Sequence, residues 1–319
     1  MDLVDDVLTT MNIGHSQYAR LDAAAPWGIH FRSRDSARLL YVAEGTCWLG
    51  ARSLDEPRLL VAGDCFLVQS DVEFTLQDAP GRQLVDCESL FDGHLAAPGG
   101  DGERTVILSG RFTFDATTAE PLFGALPPLL PIDLDSAAGR SLRATFALLD
   151  AEAAEGGIGA ALIASRLADV LFVQAMRACC ASVGSTAVSW LGALRDPQLS
   201  TAMHAMHADL ARPWTVAELA RIAGMSRSAF AAAFRAKAGE TPLGYLTSWR
   251  LYRAKTLLRD TPLSVQEIAV RVGYDTGTAL SRVFARREGV SPGAWRRNRR
   301  PASGQAGSGH SAATSIPVA

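Results

Sequence analysis

Two stretches toward the end of the chain repeat one another. Thr215, Val216, Glu218, Leu219, Ala220 and Gly224 reappear as Ser264, Val265, Glu267, Ile268, Ala269 and Gly273, 49 residues on. Past that glycine the second copy carries one extra residue. Phe230, Phe234, Gly239 and Pro242 then match Leu280, Phe284, Gly289 and Pro292 at an offset of 50. Thr215 with Glu218, and Ser264 with Glu267, have the spacing of a capping box, in which a hydroxyl and a carboxylate satisfy the first free N–H groups of a helix. Val216, Leu219 and Ile222 in one copy, and Val265, Ile268 and Val272 in the other, fall on one helical face. Gly224 and Gly273 follow, where a left-handed residue turns the chain sharply. Ser226, and either Asp275 or Thr276, then stand ready to cap a second helix in each copy. Phe230 and Phe234 anchor one such helix, and Leu280, Val283 and Phe284 the other. The pattern predicts two tandem helix-turn-helix units, whose second helices leave one face for the major groove of DNA. An all-helical dimerisation or protein-binding domain is the alternative for such helices.

The charge distribution favours DNA. The chain of 319 residues has a formal net charge of −2. Residues 195–300 hold 18 Arg and Lys against 8 Asp and Glu, whereas the remainder holds 13 against 25. A basic module joined to an acidic one is the footprint of nucleic-acid binding confined to one end. With 48% hydrophobic and 20% charged residues the composition is that of a soluble globular protein of two domains. No signal peptide or membrane span is expected, since the start of the chain is acidic and no apolar run is long enough. Five cysteines at positions 47, 65, 87, 179 and 180 form neither a CxxC pair nor a disulfide framework, which fits the cytoplasm.

Residues 1–132 read mostly as β-structure. Short apolar runs at Arg38–Val42, Cys47–Leu49, Arg58–Val61, Cys65–Val68, Glu73–Leu76 and Arg104–Phe114 are separated by turn signals such as Glu44-Gly45 and Pro80-Gly81. Their spacing suggests a small antiparallel barrel or jelly roll, ended by Pro127, Pro128 and Pro131. Residues 133–194 turn helical and lead into a linker at 183–193. Leu142, Phe146 and Leu149 recur at helical spacing, as do Ile163, Leu167, Val170 and Leu171, with Gly156-Gly157 between the two segments. The second segment is apolar over more than one face, which suits core packing, a dimer interface, or both. The Gly/Ser/Ala-rich tail 301–319 is expected to be disordered.

The stretch SVQEIAVRVGYDTGTALSRVFARREGVSPGAWRR resembles the DNA-binding domain of the AraC/XylS family of transcription regulators, over roughly residues 195–298. The resemblance implies two helix-turn-helix units joined by a rigid helix, here Pro242 to Leu258, with recognition helices entering successive major grooves. It places Arg227, Ser228, Ala231 and Ala232 of the first recognition helix, and Gly277, Thr278, Ser281 and Arg282 of the second, toward the bases. Arg227 and Arg282 are the base readers expected to pair with guanine. Alanine at 231 and 232 departs from the commoner pattern of longer polar side chains and leaves thymine-methyl contact or DNA shape as substitutes. Gly277 inside the second helix costs about 1 kcal/mol of helix stability, for which a close approach to DNA would compensate. Arg235, Lys237, Arg250, Arg253, Arg286, Arg296 and Arg297 are candidates for phosphate contact or for keeping the domain soluble.

The β-rich half resembles the cupin-like sensor domain of one branch of these regulators, through PWGIHF (26–31), VAEGTCWLG (42–50), VAGDCFLV (61–68) and LFVQAMRA (171–178). A cupin enzyme needs clustered His and Glu ligands for a metal. Leu40 and Phe74 stand where those histidines would fall, and His30 and His94 are isolated, with Glu44 the one further candidate. No metal, cofactor or catalytic residue is therefore expected. Trp27, Phe31, Trp48 and Phe66 would line an interior for a small organic effector, with His30 beside it. Cys47, Cys65 and Cys87 are either an oxidant sensor or small core residues. The chain is thus expected to be an α+β protein, with a cupin-like barrel, a helical dimerisation segment and an all-α double helix-turn-helix domain. It would act as a non-enzymatic homodimer on promoter DNA, with RNA polymerase as a further partner. A cupin metalloenzyme with a helical appendage is the alternative.

Overall fold

The computed structural model describes residue 8 and residues 13–32, 36–88, 100–182 and 188–299. His94, residues 183–187 of the expected linker and the tail 301–319 lie outside the described residues. Contacts divide the chain into two compact units, one holding Met11–Ala116 with Leu126–Ser182, the other Thr117–Ala125 with Val183–His310.

Among the described residues the first unit contains ten strands. These are β1 (Ile13–Ala24), β2 (Gly28–Arg32), β3 (Ser36–Glu44), β4 (Thr46–Ala51), β5 (Arg58–Val61), β6 (Cys65–Val68), β7 (Glu73–Gln77), β8 (Val85–Asp86), β9 (Arg104–Phe114) and β10 (Leu129–Pro131). They form two five-stranded sheets, ordered β1-β9-β3-β6-β10 and β5-β4-β7-β2-β8. The six apolar runs of the sequence correspond to β3, β4, β5, β6, β7 and β9. Alternation along each strand sends every second side chain to the same face. Leu40 and Val42 of β3, Phe66 of β6 and Ile107 of β9 meet Ile29 and Phe31 of β2, Leu49 of β4 and Phe74 of β7 in one core. Within it Phe31 and Phe74 stack with ring centroids 4.6 Å apart.

The opposite face of the first sheet carries two helices, α2 (Ala137–Glu155) and α3 (Ala160–Ser182), which flank the expected break at Gly156-Gly157. Tyr41 of β3 packs on Phe146 at 5.3 Å, and Phe112 of β9 on Phe172 at 5.0 Å. The apolar run of α3 splits accordingly. Leu171 and Phe172 are buried, whereas Val170, Leu162 and Ile163 are exposed, as is Leu148 of α2.

β1 shows no apolar alternation in the sequence because its helix-facing side is polar. Ser16 donates to Asp169 at 2.8 Å, Tyr18 to Asp150 at 2.9 Å, and Arg20 to Asp150 at 2.6 Å. Each of these polar groups is answered by a carboxylate from α2 or α3, so the strand is seated without an apolar face there.

The second unit is helical. It comprises α1 (Ala116–Phe123), α4 (Trp190–Leu194), α5 (Pro197–Ala208), α6 (Val216–Ile222), α7 (Arg227–Ala238), α8 (Pro242–Asp260), α9 (Val265–Arg271), α10 (Gly277–Glu288) and α11 (Pro292–Arg299). The long helix α8 serves two cores. Tyr245 in its first half packs against Phe234 at 5.5 Å, which in turn meets Phe230 at 5.7 Å. Leu251 and Leu258 in its second half join Ile268, Leu280, Phe284 and Trp295. Burying each such side chain contributes about 1.5–3 kcal/mol, so each helix-turn-helix holds its own share of α8.

Candidate nucleic-acid interface

Both capping boxes form, with matching geometry. The Thr215 hydroxyl accepts the Glu218 N–H at 3.2 Å while the Thr215 N–H donates to the Glu218 carboxylate at 2.9 Å. Ser264 and Glu267 repeat this at 3.2 and 2.8 Å. The hydroxyl and N–H donated by each cap hold the Glu218 and Glu267 carboxyls below the usual range. These boxes fix the start of α6 and α9, and hence the turn that aims the following helix.

The helices that follow also start alike. Ser226 accepts the Ala229 N–H at 3.3 Å to begin α7, and Thr276 accepts the Ala279 N–H at 3.1 Å to begin α10. Thr276, not Asp275, is thus the cap. Both helices end on a left-handed glycine, Gly239 and Gly289. Phe230 and Phe234 bury one side of α7, so helical spacing turns Ser228, Ala232 and Arg235 outward, with Ala231 half-buried, while Arg227 is exposed at the first position of the helix. On α10, Leu280 and Phe284 are buried, Thr278, Arg282 and Arg286 are exposed, and Ser281 is half-buried. None of Arg227, Arg235, Arg282 and Arg286 forms an ion pair with a described carboxylate, which leaves these guanidiniums available to an external anion.

Three of the expected phosphate candidates are engaged inside the unit instead. Lys237 pairs with Asp196 at 2.7 Å. Arg250 donates to the Leu210 and Arg212 carbonyls, both at 2.7 Å. Arg296 donates to Leu258 and Leu263 carbonyls at 3.0 and 2.6 Å. The two arginines satisfy backbone carbonyls and Lys237 a carboxylate, and only the fold reveals these partners. Arg253 and Arg297 are exposed, as are Arg221 and Arg271, each in the last turn of the helix preceding a second helix. Sequence reasoning passed over that matched basic pair, although it sits at equivalent places in the repeat.

Gly277 is a correction. It lies at the first position of α10, directly after the cap, so the cost of glycine in a helix interior does not apply. Its N–H donates to the Gln266 side chain at 2.6 Å, and a Cβ there would stand 3.3 Å from the Gln266 Cα. Close packing against α9 accounts for the glycine without invoking DNA.

Two family models match the chain, a cupin model over residues 2–181 and a helix-turn-helix domain model over residues 219–298. A putative AraC-like transcription regulator of Streptomyces lividans is 34% identical over 93% of this chain and 99% of its own length. The chain belongs to the AraC-like transcription regulators. The HTH-type transcriptional regulator AlkR of Acinetobacter baylyi is 31% identical over 92% of this chain and 98% of that protein. A solved structure of the DNA-binding domain of AdpA, in complex with a target DNA, is 36% identical and covers 34% of this chain and 99% of that chain, with a TM-score of 0.31. This AraC-like chain is a DNA-binding transcription regulator with a cupin domain preceding its helix-turn-helix domain.

In the cupin domain of this AraC-like regulator the expected lining residues separate. Trp27, Phe31 and Phe66 lie in the core between the sheets. Trp48 does not, because on β4 the inward positions are Cys47 and Leu49, which turns Trp48 to the other face. His30 likewise alternates away from the core-facing Ile29 and Phe31, and Glu44 pairs with Arg104 at 3.2 Å. Among the described residues no three His, Cys, Asp or Glu side chains gather in a metal-binding arrangement. Cys47, Cys65 and Cys87 are buried free thiols. Burial pushes the Cys47 thiol up to about 12 and raises those of Cys65 and Cys87, which disfavours the reactive thiolate.

Proposed function

We propose that this regulator lays α7 and α10 into successive major-groove segments of promoter DNA, about one helical turn (~34 Å) apart. The observation that carries this is the matched pair of second helices, each started by a hydroxyl cap, ended by a left-handed glycine and faced outward with arginines free of internal carboxylates. Arg227 and Arg282 read guanine bidentately, while Ser228, Thr278 and Ser281 bond base edges. Ala231 and Ala232 meet thymine methyls, and Arg235 and Arg286 neutralise phosphates. In this reading residues 195–300 read DNA, 133–194 dimerise the chain and 1–132 receive a signal within a cupin-like barrel. The protein works in the cytoplasm as a homodimer and meets RNA polymerase at the promoter.

The signal is a small organic effector held in the core between the sheets. Trp27 supports this reading, since its indole N–H is buried and has no hydrogen-bond partner among the described residues, as a donor awaiting an acceptor would. The raised thiol pKa values favour the cysteines as core residues over an oxidant sensor. Footprinting of the full chain on its own upstream DNA tests the reading. Two protected segments one turn apart, with affinity falling steeply as salt rises, are expected. A single protected segment, or affinity indifferent to salt, would refute it.

A further inference from the structure

Inside the helical unit lies a cleft of about 410 Å³. That volume lies within the range of small-molecule sites. Trp190, Tyr245, Trp249 and Tyr252 wall it. Their rings brace one another edge to face, Trp190 on Trp249 at 5.6 Å and Trp249 on Tyr252 at 5.3 Å, so the wall is preformed.

The charges in the cleft are three carboxylates, Glu120, Glu240 and Glu288, against Lys255 and Arg287. Lys255 is already committed. Its side chain is 6% exposed, and its ammonium donates to Glu120 at 2.7 Å and to Glu288 at 3.1 Å. A neutralised lysine gives an incoming anion little to bind. Glu240 is differently placed. The Ser248 hydroxyl donates to it at 3.2 Å, and partial burial pushes its carboxyl up from the ordinary range even though that bond and the charge of Arg287 act the other way, so a further cation beside it would be welcome. Aromatic faces next to a surplus of carboxylate are the setting that attracts an organic ammonium group.

We propose that this cleft binds a small organic cation, an ammonium on an aromatic or aliphatic body, with Glu240 as counter-ion and the Trp190, Trp249 and Tyr252 rings as its apolar seat. The site is separate from the effector core between the sheets. Its position gives it a role in control. Ala238 and Glu240 flank the end of α7, Arg287 and Glu288 close α10, and all four line the cleft with α8 between them. One ligand therefore touches the ends of both reading helices, and its occupancy sets how freely they adjust to the spacing of two grooves. This regulatory role rests on the DNA reading proposed above, whereas the binding itself does not.

The test is calorimetry of the full chain, without DNA, using phenethylammonium and, as a shape-matched anion, 3-phenylpropionate. Phenethylammonium is expected to bind with a Kd of about 1 mM or tighter, the anion at least about tenfold more weakly. Glu240→Gln should weaken the cation by about fivefold or more and leave the anion unchanged. Equal binding of the two probes, no binding of the cation, or an unaltered Kd in Glu240→Gln would overturn the proposal. DNA titrations with and without saturating phenethylammonium then read the coupling, expected as a change in affinity of about fivefold or more. Unchanged DNA affinity would overturn the regulatory role. A chain that binds the cation but no DNA would keep the site and sink the DNA reading, so the two failures are distinguishable.

Discussion

The Gln266 side chain accepts the backbone N–H of Gly277 at 2.6 Å, which ties the first turn of α9 to the start of the reading helix α10. A capping interaction of this kind is worth about 1 kcal/mol. Gln266→Ala is therefore expected to lower the melting temperature slightly and to weaken specific DNA binding by about fivefold, through loss of aim of Thr278 and Arg282. Fluorescence anisotropy on specific and scrambled duplexes checks this. Equal loss on both would show that aim is not what Gln266 supplies.

Arg282 and Arg286 are one turn apart on the exposed face of α10, yet the two should fail differently. Arg282→Ala is expected to relax preference at one base pair, at a cost of about 1–3 kcal/mol for the preferred sequence. Arg286→Ala should weaken all sequences alike and reduce the salt slope by about one. Selection from a randomised site at two salt concentrations separates these outcomes.

Two glycines with left-handed backbones provide a stability test. Gly273 has φ +84°, and a Cβ there would fall 2.6 Å from the Ala211 carbonyl oxygen. Gly289 has φ +76° with open space around it. Gly289→Ala should cost about 1–2 kcal/mol from backbone strain alone. Gly273→Ala should cost clearly more, since it adds a collision with main chain. Urea unfolding of both variants measures the difference, and equal costs would contradict it.

His207 sets an acid limit on the helical unit. Burial, with the nearby His204 charge adding to it, depresses its pKa from 6.5 to about 3, and its imidazole bonds the Tyr245 hydroxyl at 2.8 Å. The folded form resists protonation that the unfolded chain accepts. Stability from this group is thus full above pH 6.5 and declines as pH falls toward 3, by about 1.4 kcal/mol per pH unit over that window. Chemical denaturation at pH 7, 5.5 and 4.5 reads the slope. His207→Gln should flatten it, and an unchanged slope would assign the acid sensitivity elsewhere.

What the sequence displays most clearly is local. Capping boxes, glycine stops and the Phe230/Phe234 and Leu280/Phe284 anchors each depend on residues a few positions apart, so their periodicity is visible in one dimension. β1 is hidden because Ser16, Tyr18 and Arg20 are satisfied by carboxylates more than a hundred residues away. Lys237, Arg250 and Arg296 resemble DNA-facing cations until the carbonyls and carboxylate they serve are located. Trp48 has the apolar character of an interior residue, but strand parity, read from Cys47 and Leu49, turns it outward. Charge and hydropathy mark a residue's kind, while its partner is a property of the fold.

Residues 117–125 belong to the helical unit although strands of the other unit flank them in the chain. From there Pro121 offers its carbonyl to the Trp190 indole at 2.6 Å, and Glu120 holds Lys255. A scissor cut at residue 183 would therefore strip the excised piece of a strut, leaving an indole donor unanswered and a buried ammonium with one counter-charge instead of two. The compact body that holds the reading helices is therefore drawn from two separate lengths of the polypeptide.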